Sequence, residues 1–268
     1  MKKIIVPTVG GLLLAALALL ALWANPSGHY VNVPGFLLVT LGTLTASVLA
    51  HSFHNVAEML RRLPAKLKGN PAPDGEELEL FLRVAEWHRM GRMQIAEQVV
   101  KKLRDPVLRS GAEMVIGRTP EAELTRMLYW KIGAQRERDQ DDIKIILTMA
   151  GFAPAFGMVG TLFGLIEMMY ALDANQMDHI GTAMGFALLT TVYGLVAANL
   201  VLKPIAVRME DQAREHLAWR HVQAETIRLL RERGHPSLIR DYWRTFLERS
   251  AGNEPPESLE LVPSKTSP

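Results

Sequence analysis

In a chain of 268 residues the side chains able to bind or carry something lie mostly in apolar surroundings. Thr161, Thr190 and Thr191 sit in long uncharged stretches. A hydroxyl there can bond back to its own helix, the common structural use, or line a hydrated path and offer oxygen to a cation. Glu167 is the one ionisable residue in the same two stretches, and ionisable groups within a membrane are functional suspects. It falls near the end of its stretch, where water can reach it, so an interfacial carboxylate is the expectation. His51 and His54 could pair on one helix face as metal ligands, but with no further Cys, His or acid motif nearby they read as interfacial histidines. The chain has no cysteine, so disulfides, thiolate metal sites and a Cys nucleophile are excluded. No zinc-protease signature, phosphate-binding loop or nucleophile elbow occurs. Enzymatic chemistry and a bound cofactor or metal therefore have no sequence support.

The elements around these residues are set by charge. All thirty Lys and Arg lie at Lys2–Lys3, between Arg61 and Lys144, or from Lys203 onward. A helix needs about 20 apolar residues to cross the hydrocarbon core, and four stretches qualify. They run from Ile4 to Trp23, Pro34 to about Ala50, Ile145 to Leu172, and Ile180 to Leu202. Basic residues mark the cytoplasmic side, which puts both termini and the 61–144 segment inside and the loops near 24–33 and 172–179 outside. Cleavage of the first stretch as a secretory signal would leave three spans in the same orientation. That stretch exceeds the about 7–15 residues of a signal core, so a retained span is expected.

The remainder reads as helix, giving an all-α membrane protein. We divide it into residues 1–57 with two spans, 58–142 as a cytoplasmic helical domain, and 143–204 with two more spans. Residues 205–250 form a cytoplasmic helix and C-terminal segment, and 251–268 a disordered tail. Within the insert, residues 76–100 read as one helix, Asp105–Pro106 as a turn, and Thr119–Pro120 as a turn that starts a charged helix. The net charge of +2 gives no nucleic-acid footprint. Gly157, Gly160 and Gly164 recur at helical spacing in the third span. Gly181, Gly185 and Gly194, with Ala197 and Ala198, do so in the fourth. Small residues let helix backbones approach closely in lipid, which fits plain helix packing as well as a pore wall.

APAFGMVGTLFGL (153–165) and ALLTTVYGLVAANLVLKPIA (187–206) resemble the two signature segments of the MotA/PomA stator A subunits, within the MotA/TolQ/ExbB superfamily. Weaker likeness extends over VPGFLLVTLGTLTASVL (33–49), the insert and HPSLIRDYWRTFL (235–247). The resemblance implies a bacterial inner-membrane protein. Several A subunits, five in the better-known cases, would surround two single-span B subunits whose aspartate carries H⁺ or Na⁺. It implies that Thr161, Thr190 and Thr191 line the ion path and that Pro154 and Pro204 are motor prolines. Proline removes a backbone hydrogen bond and can bend a helix.

The family also contacts a rotor switch protein through an Arg shortly before a Gly and a Glu five residues after it. Here Arg89 stands two before Gly91, Ala96 occupies the later position, and the Glu is Glu97. Arg89 and Glu97 are the corresponding candidates, and the departure leaves open a non-flagellar, ExbB/TolQ-like motor. A non-conducting membrane scaffold is the alternative from another class.

Overall fold

The computed structural model describes residues 31–68, 75–174 and 176–252. Among these the chain is helical, with no strand. In order the helices are α1 (Val33–His51), α2 (Phe53–Lys68), α3 (Gly75–Arg89), α4 (Met93–Val100), α5 (Pro106–Ile116), α6 (Glu121–Asp173), α7 (Met177–Val196), α8 (Lys203–Arg231) and α9 (Pro236–Gly252). A π-helical turn, Ala197–Leu202, joins α7 to α8. The expected first span and the proposed tail after Gly252 lie outside the described residues.

Three helical stretches are long and apolar enough to cross a membrane: α1, the later part of α6, and the run from His179 that contains α7. They coincide with the second, third and fourth apolar stretches of the sequence. Asn32 caps α1, its side chain accepting from the Gly35 amide at 2.9 Å, with Pro34 in the first turn as the sequence suggests. Thr43 and Ser47, buried on α1, return their hydroxyls to the carbonyls of Val39 and Thr43.

Two compact units divide the described residues, one of 31–68 with 138–211, the other of 75–137 with 212–252. In the first, α1, α2, the later part of α6 and α7 pack together. At the end of the spans that carries the basic residues, His51 Nε2 pairs with Thr148 Oγ1 at 2.9 Å. Nearby, Lys66 on α2 reaches both Asp139 and Asp142 on α6 at 2.7 Å. Burial pulls the Lys66 ammonium down, but the two carboxylates outweigh it and hold its pKa above the ordinary lysine value.

The second unit is a soluble-type helical core. Phe81, Val84, Leu108, Ile227, Leu230 and Trp243 are buried together in it. Asp105 caps α5 by accepting from the amides of Val107 and Leu108 and takes an ion pair from Arg220 at 3.2 Å. Trp243 packs edge-on to Trp219 and donates its indole N–H to Thr226 Oγ1 at 3.1 Å.

The helix expected over 76–100 is two helices. Gly91 adopts φ +77° between α3 and α4, a left-handed conformation that glycine takes without steric penalty and that ends a right-handed helix.

Candidate functional site

The antiparallel pair formed by the later part of α6 and α7 brings the candidate residues together. Its seam is built from glycines. A methyl group placed on Gly157 would stand 2.9 Å from the Thr190 carbonyl oxygen and 3.1 Å from Thr191 Cα; on Gly160, 2.5 Å from Thr190 Oγ1; on Gly164, 2.7 Å from the Ala183 oxygen. From the other helix, a methyl on Gly194 would stand 2.6 Å from the Ala153 oxygen and 3.2 Å from Pro154 Cα. No side chain fits at these four positions without movement of backbone or packed atoms. Gly181 and Gly185, which the spacing also suggested, have nothing within 4 Å of an added methyl.

The three threonines differ. Thr190 is 0% exposed, enclosed by Gly157 and Gly160 of α6 and by Gly35 of α1, and its hydroxyl donates to the Ala187 carbonyl at 2.8 Å. Thr161, half-buried, donates to Met158 at 2.6 Å. Thr191 Oγ1 is buried and has no hydrogen-bond partner among the described residues. Thr161 and Thr190 thus spend their protons on their own helices and keep only acceptor lone pairs, while Thr191 has both its donor and its acceptor sites unspent among the described residues. Glu167 is exposed, near the end of α6 away from the basic residues.

The two prolines are placed differently. Pro154 lies inside the continuous helix α6, where it lacks the N–H that would bond the Ala150 carbonyl. Gly194 of α7 covers that stretch. Pro204 is the second residue of α8, directly after the π-turn. There the Lys203 N–H bonds the Ala198 carbonyl, five residues back. Widening the helix by one residue relieves the clash a proline ring makes with the carbonyl four residues earlier. The turn also carries Asn199, whose amide donates to the Leu195 carbonyl and whose oxygen accepts from Lys203 Nζ. Sequence inspection did not single out Asn199 or the π-turn; Pro204 itself was the available signal.

Arg89 and Glu97 belong to the second unit, on α3 and α4, on either side of the Gly91 turn, and both are exposed. Glu97 pairs with Lys101 at 3.3 Å. Beside Arg89, His88 is buried. Burial first, then the nearby Arg233, lowers its pKa below the ordinary value, against a hydrogen bond to the Leu230 backbone. Among the described residues no cluster of His, Cys, Asp and Glu is arranged to hold a metal.

Residues 99–221, which include the seam, match the MotA/TolQ/ExbB proton channel family. Curated relatives extend the likeness beyond those residues. Motility protein A of Cereibacter sphaeroides is 26% identical over 85% of this chain and 88% of its own length. Motility protein A of Borreliella burgdorferi is 25% identical over 82% and 84%, and chemotaxis protein PomA of Vibrio alginolyticus 25% over 87% and 89%. The fold is that of a chain in C. jejuni MotAB, with a TM-score of 0.78 at 18% identity, covering 93% of this chain and 97% of that one. A chain of the Bacillus subtilis flagellar MotAB stator complex gives 0.77 at 21%, covering 92% and 98%. The resemblance drawn from residues 153–165 and 187–206 is to this family.

Proposed function

We propose that this chain is the A subunit of an ion-driven rotary motor of the flagellar stator type. With a single-span B subunit it forms a channel for H⁺ or Na⁺ and converts ion flow into torque. The observation that carries the reading is the seam of α6 and α7. It is a close, glycine-built helix pair with a proline on each side, and it has hydroxyls but no acid at mid-span. Ionisable groups within a membrane mark ion pathways and proton relays, and a wall without one at mid-span fits a partner that brings an aspartate. The relatives named Motility protein A and PomA, and the MotAB complexes sharing the fold, support the partnership.

In this reading the protein sits in the bacterial inner membrane with both termini in the cytoplasm, as a homo-oligomer, with five copies the expected number. Thr191 and Thr161 face the ion path, Thr190 holds the seam, and Pro154 and the π-turn at Pro204 give the helices their compliance. Arg89 and Glu97 would meet a rotor switch protein from the second unit. The test is to purify the chain from its native membrane with whatever accompanies it and weigh the complex. A ring holding a single-span, aspartate-bearing protein is expected; a lone monomer overturns the proposal.

One observation favours a second output. Arg89 is two residues before Gly91, and Ala96 stands where the family pattern has its Glu, so the charged pair around the Gly91 turn is not the flagellar one. A stator-like motor doing other envelope work fits that difference. Swimming of cells carrying Pro154→Ala separates the two readings: motility is lost if the output is flagellar and unaffected otherwise.

A further inference from the structure

We propose that α2 forms, with the adjoining end of α1, a binding site for an anionic phospholipid, in which Arg61 takes the headgroup and Leu49, Phe53 and Leu60 take the acyl chains. The proposal stands on membrane location alone and not on ion conduction.

The path of α2 is the first ground. Ser52 joins α1 to α2 at φ 70°, ψ 143°, a conformation that side-chain-bearing residues rarely hold unless their surroundings impose it. It turns the chain away from the axis of α1. Two contacts hold α2 against α6 below that turn: His51 pairs with Thr148, and Lys66 is tied to Asp142 and Asp139. Arg61 is about 12 Å along α2 from Phe53, where a long side chain can extend back to the headgroups at the end of α1.

The second ground is what α2 leaves outside. Val56 and Met59 are buried against the unit. Phe53 at 73% and Leu60 at 41% are exposed, next to Leu49 at 82% on α1. These continue the lipid-facing surface of the span onto α2, past the point where a soluble helix would turn polar. An apolar strip of this kind flanked by basic residues is how an interfacial helix meets the acyl–headgroup boundary.

Charge supplies the third. Glu58 is shared by Arg62 and, at 3.6 Å, by His54, and Lys66 is held by the aspartates. Arg62 also lies 3.8 Å from Asp142. Arg61 is exposed and, among the described residues, makes no ion pair. A guanidinium beside a lipid-facing apolar strip suits a phosphate-bearing anionic headgroup, which it can engage bidentately.

The test uses the full chain in detergent, incubated with an equimolar mixture of phosphatidylglycerol and phosphatidylcholine, repurified, and assayed for retained lipid by mass spectrometry. Wild type should be enriched in phosphatidylglycerol. Arg61→Gln should reduce that enrichment about fivefold, the loss expected for one surface cation. Arg61→Lys should retain most of it, and Arg83→Gln, exposed in the second unit, should retain all. Phe53→Ser should lower retention of both lipids without changing their ratio. Equal retention of the two lipids by wild type, or an enrichment that Arg61→Gln leaves intact, overturns the proposal.

Discussion

Gly194 and Gly181 lie on the same helix, yet a methyl group would be an intrusion at one and inconsequential at the other. At Gly194 it would press on the backbone of Ala153 and Pro154, which cannot rotate away as a side chain can. Gly194→Ala is expected to cost about 1–3 kcal/mol, the usual range for overpacking, read as a lower melting temperature of the purified protein in detergent. Gly181→Ala should leave that temperature unchanged or raise it. His88 belongs at this scale too. Burial and Arg233 keep its folded pKa below the value of the unfolded side chain, so the unfolded chain binds the extra proton as the solution turns acid. Stability present above the ordinary histidine pKa of 6.5 should decline as pH falls toward the folded value. Melting measured between pH 7.5 and 5.5 should show this decline, and His88→Gln should flatten it whatever its effect on stability at neutral pH.

At the scale of elements, turns and breaks decide what the helices present. The sequence around Gly91 is apolar at helical spacing on both sides, so periodicity reads straight through it. Whether a glycine sits inside a helix or ends it depends on φ, which spacing does not report. Gly91→Ala meets open space but must hold φ +77°. It is expected to destabilise by about 1–2 kcal/mol, and Gly91→Val should destabilise more, because a β-branched side chain is disfavoured further at positive φ. The π-turn before Pro204 has the same character. Proline at 204 announces a disturbed helix, but whether it resolves as a kink, a break or a widened turn is settled by the packing of α7 and α8. Asp105 and Pro106 were readable because a capping carboxylate and a proline act on neighbouring amides, and the structure has them doing so.

At the scale of the whole molecule, the proposal describes one wall of a machine. The chain reconstituted alone in vesicles should pass no more H⁺ or Na⁺ than empty vesicles. Vesicles holding it with its single-span partner should conduct, and replacing the partner's membrane aspartate by asparagine should abolish the current. Conduction by the chain alone would contradict the assignment of the ion-carrying acid to another protein.

The division between sequence and tertiary structure follows from the range of the interactions. The all-helical class, the second to fourth apolar stretches and the likeness to the family were legible in the chain, because membrane crossing is a property of local hydropathy and because the signature segments are contiguous. The partners of Thr190 were not legible. A threonine in an apolar helix reads alike whether it faces a pore or a neighbouring glycine, and only the approach of Gly35, Gly157 and Gly160 from two other helices encloses it. Asp139 and Asp142 looked like members of a charged run until Lys66, more than seventy residues earlier, reached them across the fold. Glycines gave candidate contacts by spacing, and tertiary structure separated Gly157, Gly164 and Gly194, which admit the backbone of the facing helix, and Gly160, which admits the Thr190 side chain, from Gly181 and Gly185, which face open space. Close packing is a relation between two helices, and a sequence states only one side of it.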